Sequence, residues 1–208
     1  MADSGMKQVR QAQQWAQQQG LEALDADLLL AFVLDKSRTW LFTWPERELS
    51  DDQQRRFGDL IQRRLNGVPV AHILGTREFW SLPLKVNAST LIPRPDTETL
   101  VEAILNRFEQ PSLRVADLGT GTGAIALALA SERPGWNISA FDVQPGAVAL
   151  AQENAHQLGL PVTVGLSHWC DALANRSQDL LVSNPPYIAA DDVHLQHGDV
   201  RFEPLSAL

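Results

Sequence analysis

Arg114-Val115-Ala116-Asp117-Leu118-Gly119-Thr120-Gly121-Thr122-Gly123 reads as a short apolar strand running straight into a glycine-rich loop, and Ala124 to about Glu132 continues it as a helix. Glycine is required in such a loop because the backbone must turn tightly and approach a ligand that side chains would block. Working outward, Ile138 to Asp142 is a second strand, Pro145 opens a second helix, Val162 to Leu166 is a third strand and Leu180 to Ser183 a fourth. Strand and helix alternate at a spacing that calls for an α/β fold, a parallel sheet with right-handed crossovers.

Asp142 ends the second strand 19 residues after Gly123. An acid at that place accepts hydrogen bonds from the ribose hydroxyls of a bound nucleoside. Two cofactor classes use such a site. A dinucleotide loop spaces its glycines G-x-G-x-x-G and sets a helix end against a pyrophosphate. Here the third glycine comes one step early, as G-x-G-x-G preceded by Asp117. That favours S-adenosylmethionine, which has no phosphate and needs room for its ribose and its amino-acid tail. A tight turn without any ligand is the competing reading.

Asn184-Pro185-Pro186-Tyr187 follows the fourth strand directly, at the carboxyl edge of the sheet where open α/β sheets bind ligands. Successive prolines fix the backbone, so the Asn184 side-chain oxygen and the Pro185 carbonyl present two acceptors to one NH2 group. Tyr187 offers a flat face to a planar substrate. An amide or aniline-like nitrogen is a poor nucleophile because its lone pair is delocalised. Two acceptors that orient its hydrogens are what methylation of such a nitrogen needs, and no strong base is required once the nitrogen carries positive charge. The bland alternative is a loop stop after a strand.

The front of the chain reads as helices. Gln8 to Gln19 is closed by Gly20; Leu24, Leu28, Ala31 and Phe32 recur at helical spacing; Ser37 caps a short helix; and Ser50 with Gln53 has the form of a capping box before Phe57, Leu60, Ile61 and Leu65. The Trp and Phe residues of this part read as core packing. Arg77 to Leu82 and Leu84 to Val86 read as two short strands or a hairpin around Pro83. Beyond it, Asp96 or Thr97 can cap the helix carrying Leu100 to Phe108.

The net charge is −8. Residues 1–76 carry nine Lys/Arg against ten Asp/Glu, and residues 77–208 carry eight against fifteen, so the back part is the acidic one. That balance opposes a protein that grips nucleic acid by its backbone. The longest apolar runs, Leu28 to Leu34 and Ala124 to Ala130, are seven residues each, against roughly twenty for a membrane span. Cys170, the single cysteine, excludes an intramolecular disulfide framework and a Cys-cluster zinc site. His194 and His197 beside Asp191 and Asp192 have metal-like components but read as a solvated surface, so no metal is expected. Nothing points to secretion, and the expectation is a cytoplasmic monomer.

Arg77 to Trp80, Leu91 to Glu98, Asp117 to Ala128, Asn184 to Tyr187 and Asp199-Val200-Arg201-Phe202-Glu203-Pro204 together resemble the peptide chain release factor glutamine methyltransferases. The resemblance covers nearly the whole chain. It implies methyl transfer from S-adenosylmethionine to the amide nitrogen of the glutamine in the Gly-Gly-Gln loop of class I release factors. It also implies three regions: a helical substrate-recognition bundle over 1–75, a hairpin linker over 76–90 and a Rossmann-like methyltransferase domain over 91–208. Carried over by position, Gly119, Thr120, Gly121, Thr122 and Gly123 match the cofactor loop and Asp142 the ribose-binding acid. Trp169 matches an aromatic position beside the adenine. Asn184, Pro185, Pro186 and Tyr187 match the segment that holds the substrate amide, with Asn184, Pro185 and Tyr187 as its catalytic members and Asn184 also beside the cofactor. His168 stands where such proteins tend to carry Asp, and the neighbouring Asp171 is a candidate substitute.

The family's domain continues through further strands after the fourth. The chain therefore reads as a fragment or truncated product whose last strand has an unpaired apolar edge, with reduced stability and activity expected. Three rival functions remain from the residues. One is an adenine-N6 methyltransferase on nucleic acid, which poses the same lone-pair problem to Asn184. The others are a nicotinamide-dependent oxidoreductase and a non-catalytic module that only docks a release factor.

Overall fold

Ser37 and Ser50 stand where two of the helices at the front of the chain begin. The helices there are α1 (Val9–Gln18), α2 (Ala23–Leu34), α3 (Arg38–Thr43), α4 (Asp51–Leu65) and α5 (Val70–Leu74) in a computed structural model that describes residues 6–188, 192 and 198–208. Ser37 Oγ accepts from the Trp40 N–H at 3.2 Å, and Ser50 and Gln53 exchange hydrogen bonds at 2.9 and 3.3 Å, closing the expected box. Caps of this kind contribute about 1 kcal/mol each. The core of this unit, residues 1–74, gathers Val9, Ala16, Leu29, Leu30, Leu41, Phe57 and Ile61.

Expectations for this unit need correction at three places, the first being Leu65, which ends α4 exposed rather than on its buried face. Leu24 and Phe32 of α2 face solvent, and Ala26, Leu29, Leu30 and Val33 are buried instead. The helix is apolar around most of its circumference, so helical spacing fits more than one face, and packing against α1 and α4 selects among them. Phe42 and Trp44, expected in the core, are also exposed, because α3 is too short to bury more than Leu41.

The second unit, residues 75–208, opens with a hairpin of β1 (Thr76–Phe79) and β2 (Leu82–Lys85). Its turn lies at Trp80 and Ser81, both at positive φ (52° and 59°), and not around Pro83, which sits inside β2 opposite Glu78. Two left-handed residues match the twist of a tight hairpin, and a two-stranded ribbon leaves an outer edge where proline costs no ladder bond. The strained turn is held by Trp80, whose backbone N–H donates to Glu98 and whose indole donates to Glu132, both at 2.8 Å.

A 3-10 turn, Pro95–Thr97, leads into α6 (Glu98–Arg107). Neither Asp96 nor Thr97 caps that helix with its side chain; the turn brings the backbone in with Pro95 in first position. Then follow β3 (Arg114–Leu118), α7 (Ala124–Glu132), β4 (Asn137–Asp142), α8 (Pro145–Leu158), β5 (Val162–Leu166) and β6 (Leu180–Ser183), with 3-10 turns at Gly198–Phe202 and Leu205–Ala207. The four strands β3 to β6 are parallel in the order β5-β4-β3-β6. β3 is central, with Val115 to Leu118 buried, and Ala124 to Ala130 of α7 are buried all round. This is the α/β architecture the alternation implied. The chain runs outward from β3 through β4 to β5 and then returns to the far side of β3. The crevice of the sheet therefore opens between β3 and β6, at their carboxyl ends. Among the described residues no helix is long and apolar enough to cross a membrane.

Candidate functional site

That crevice is a pocket. Residues from four strand ends meet there: Gly119, Thr120, Gly121 and Thr122 after β3, Asp142 at the end of β4, Trp169 after β5, and Asn184, Pro185 and Pro186 after β6. Phe79, Thr90, Leu91, Pro93 and Thr97 close it from the segment that precedes α6. The topology thus brings most of the residues named from sequence into one cavity. Gly123 and Tyr187 are the exceptions.

The glycine loop is built on backbone conformation. Gly119, Gly121 and Gly123 have φ of +71°, +57° and +84°, a region that side chains strain to enter. Gly119 and Thr120 donate to the Phe141 carbonyl at 2.8 and 2.9 Å, which ties the loop to the end of β4. A Cβ on Gly119 would meet no protein atom within 4 Å, so the space beside it is pocket. A Cβ on Gly123 would stand 3.1 Å from Leu127 and 3.4 Å from Ala151. The third glycine thus serves the approach of α8 to α7 rather than the cavity wall.

Asp142 uses both oxygens on the backbone around it. Oδ2 accepts from the Gly121 N–H and Oδ1 from the Gln144 N–H, each at 2.9 Å. Its carboxylate therefore shapes the loop as well as facing the cavity. Behind the loop Asp117 is fully buried and accepts from the Thr120 hydroxyl at 2.6 Å. Burial pushes its carboxyl up to about 6, against the pull of that hydroxyl and with Asp142 adding to the rise.

Trp169 is half exposed at the rim with φ +50°, and its carbonyl accepts from the Ser167 hydroxyl at 3.0 Å. His168 also lines the cavity; Asp171 does not, and lies 3.7 Å from His168 on the exposed side. Cys170 is exposed and is not among the lining residues.

Asn184 is half-buried, and its Nδ2 donates to Thr97 Oγ1 at 3.3 Å. With the NH2 end committed to Thr97, Oδ1 is the end left as an acceptor beside the Pro185 carbonyl. Tyr187 is 82% exposed and faces a neighbouring cavity. That second cavity shares Leu91, Thr97, Asn184, Pro185 and Ala207 with the first, so Asn184 and Pro185 form the partition between the two.

Several further residues act here in ways the sequence does not show. Thr97 holds Asn184. Thr90 lines the cavity, is 1% exposed, and its hydroxyl has no hydrogen-bond partner. Asn154 of α8 is wholly buried and joins the Thr122 carbonyl to the backbone of Lys85 at the end of β2. Glu203 has a fully buried side chain that accepts from the Ile92 N–H at 3.0 Å and from Arg94 at 2.6 Å. Burial raises its carboxyl above the ordinary range, while Ile92 and Arg94 oppose that rise. Polar residues in helices and loops carry no periodic signal, so only their placement exposes these roles. The His194 and His197 pair and Asp191 lie outside the described residues, and no cluster of metal ligands occurs among the described ones.

The cavity suits S-adenosylmethionine. No Lys or Arg is among the residues that line it; Asp142 and His168 are its titratable groups. A pyrophosphate would find no cationic side chain there, whereas a sulfonium and a nucleoside meet a carboxylate, an aromatic rim and open glycine backbone. The unpartnered Thr90 hydroxyl, worth about 1–3 kcal/mol of uncompensated desolvation, adds a polar group that a ligand can satisfy.

The chain is similar to known proteins along most of its length. Residues 9–75 match the PrmC N-terminal domain and residues 95–200 the methyltransferase small domain. The release factor glutamine methyltransferase of Shewanella oneidensis is 54% identical over 214 residues, covering 100% of this chain and 74% of its own length. That of Salmonella typhimurium is 55% identical over 185 residues, covering 88% of this chain and 67% of its own. Among solved structures, the T. thermophilus 16S rRNA N2 G1207 methyltransferase in complex with AdoMet and guanosine matches 55% of this chain and 33% of its own, with 24% identity and a TM-score of 0.46.

Proposed function

Because the chain belongs to the release factor glutamine methyltransferase family, we propose that its two joined cavities methylate the side-chain amide nitrogen of the glutamine in the Gly-Gly-Gln loop of a class I release factor. When bound, S-adenosylmethionine would supply an electrophilic methyl carbon on a sulfonium, the S–CH3 bond breaking as the N–CH3 bond forms and its electron pair leaving on the neutral thioether. Asp142, the backbone of Gly119 to Gly121 and Trp169 hold that cofactor in the first cavity. The glutamine arrives through the second cavity, past Tyr187.

The observation that carries this reading is the fixed amide of Asn184. Its Nδ2 is engaged by Thr97, so Oδ1 and the Pro185 carbonyl are the groups that receive the two hydrogens of the substrate NH2. Held this way, the nitrogen cannot rotate out of line, and its lone pair is directed toward the first cavity. As that lone pair leaves conjugation, the nitrogen gains positive charge and its hydrogens bind the two acceptors more tightly. The stabilisation therefore grows toward the transition state, where it accelerates the reaction. A methylated, positively charged amide nitrogen is acidic enough to lose its proton to water, so no side chain need act as a strong base.

The test is mass spectrometry of a release factor after incubation with the protein and S-adenosylmethionine. A gain of about 14 Da, one CH2, on the loop glutamine is the expected result. An unmodified release factor, with label appearing instead in adenine of DNA or RNA, would overturn it.

A further inference from the structure

Two segments far apart in sequence meet where the two cavities adjoin: 91–97, through Leu91 and Thr97, and 203–208, through Ala207. A single buried carboxylate joins them. Glu203 has 0% side-chain exposure, yet it sits in a loop, and both its oxygens cross to the other segment, Oε1 to the Ile92 N–H and Oε2 to Arg94. Placing a charge there has a desolvation cost that core packing alone does not require. What the geometry gains is register. Pro93 and Pro95 stiffen the segment that Glu203 grips, and two residues beyond Pro95 stands Thr97, which holds the Asn184 amide. On the other side, a main-chain oxygen of Leu208 accepts from the Tyr187 and Ile188 N–H groups at 2.8 and 2.7 Å. Glu203 thus ties the supports of the acceptor loop from both directions.

We infer that the Arg94–Glu203 pair is a positioning device for the reaction, acting through Thr97 to set the angle of the Asn184 acceptor. The inference rests on the proposed role of Asn184 and deepens it. Glu203→Gln keeps an acceptor for Ile92 but turns an NH2 group toward the guanidinium, and it retains the shape of the side chain.

The experiment measures kcat and cofactor affinity for Glu203→Gln, Thr97→Val and the double variant, with release factor and S-adenosylmethionine. Each single variant lowers kcat by about tenfold while cofactor Kd moves by less than about threefold. Because both act on the same amide, the double variant is within about twofold of the slower single one. Multiplication of the two losses, or a loss confined to cofactor affinity, would overturn the inference, since general loosening of the fold predicts those outcomes. Amide hydrogen exchange gives a readout independent of turnover. Tyr187 and Ile188 exchange faster in Glu203→Gln than in wild type, and unchanged exchange would also overturn the inference. A wild type that transfers no methyl would refute the proposed function, while exchange at Tyr187 and Ile188 would still decide the Glu203 clamp.

Discussion

Replacing Asn154 should destabilise the second unit far more than its helical position suggests. The side chain is fully buried and makes three hydrogen bonds: Oδ1 accepts from the Lys85 N–H at 2.8 Å, and Nδ2 donates to the Lys85 and Thr122 carbonyls at 3.1 and 2.9 Å. Asn154→Ala leaves all three backbone groups unmatched, at about 1–1.5 kcal/mol each. It regains about 0.6 kcal/mol of helix propensity. The net loss is about 3 kcal/mol, which at a urea slope of about 2 kcal/mol/M lowers the midpoint by about 1.5 M. Asn154→Asp separates hydrogen bonding from packing, because it has nearly the same shape. At pH 7.5 it still accepts from Lys85 but turns an oxygen toward two carbonyls, so it should be at least as destabilised as the Ala variant. Urea unfolding followed by circular dichroism gives both numbers. An Asp variant within about 0.5 kcal/mol of wild type would refute the hydrogen-bond argument, and with it the view that Asn154 anchors the glycine loop.

Other expectations concern the site. Asn184→Ala should lower kcat by on the order of 10²-fold while cofactor Kd stays nearly constant; equal losses in both, measured by steady-state kinetics and calorimetric titration, would count against a transition-state role. Asp142→Ala should raise cofactor Kd by on the order of tenfold or more, because it removes the carboxylate facing the cavity and frees the Gly121 and Gln144 N–H groups; unchanged binding in a titration would remove Asp142 from the cofactor site. Asp117 gives a pH signature. Its folded pKa of about 6 lies above the unfolded value near 4, so between those two pH values the folded state holds a proton that the unfolded chain has released. Stability from this group is present below pH ~4 and falls as pH rises through about 6, by about 3 kcal/mol. Urea midpoints of wild type and Asp117→Asn should therefore diverge across that window in favour of the variant, and parallel curves would contradict the assignment.

The strand, glycine-loop and helix order was legible in the sequence because each piece depends on neighbours along the chain. Val115 to Leu118 form a strand buried on both faces, Gly119, Gly121 and Gly123 turn at positive φ, and Ala124 to Ala130 form a helix with no polar face. Those are local consequences of side-chain size, backbone freedom and apolar patterning. Capping at Ser37 and Ser50 follows the same logic over three residues. Less local chemistry leaves no such pattern. The hairpin turned at Trp80 and Ser81 rather than near Pro83, because bonds to Glu98 and Glu132 stabilise left-handed residues that propensity disfavours. The buried face of α2 was chosen by its neighbours, since the helix is apolar on several sides.

The amino-acid order by itself determined that the glycine loop, Asp142 and Asn184 would stand at the carboxyl ends of parallel strands, since strand direction and crossover hand leave little other choice. Only the tertiary structure decided which way the Asn184 amide points. Thr97 arrives from a segment 87 residues away, and Glu203 grips that segment from 109 and 111 residues away. Hydrogen bonds over such separations leave no periodic trace in a chain. They exist because the sheet brings these loops to one edge, where a buried polar group must find its partner or bear the cost of having none.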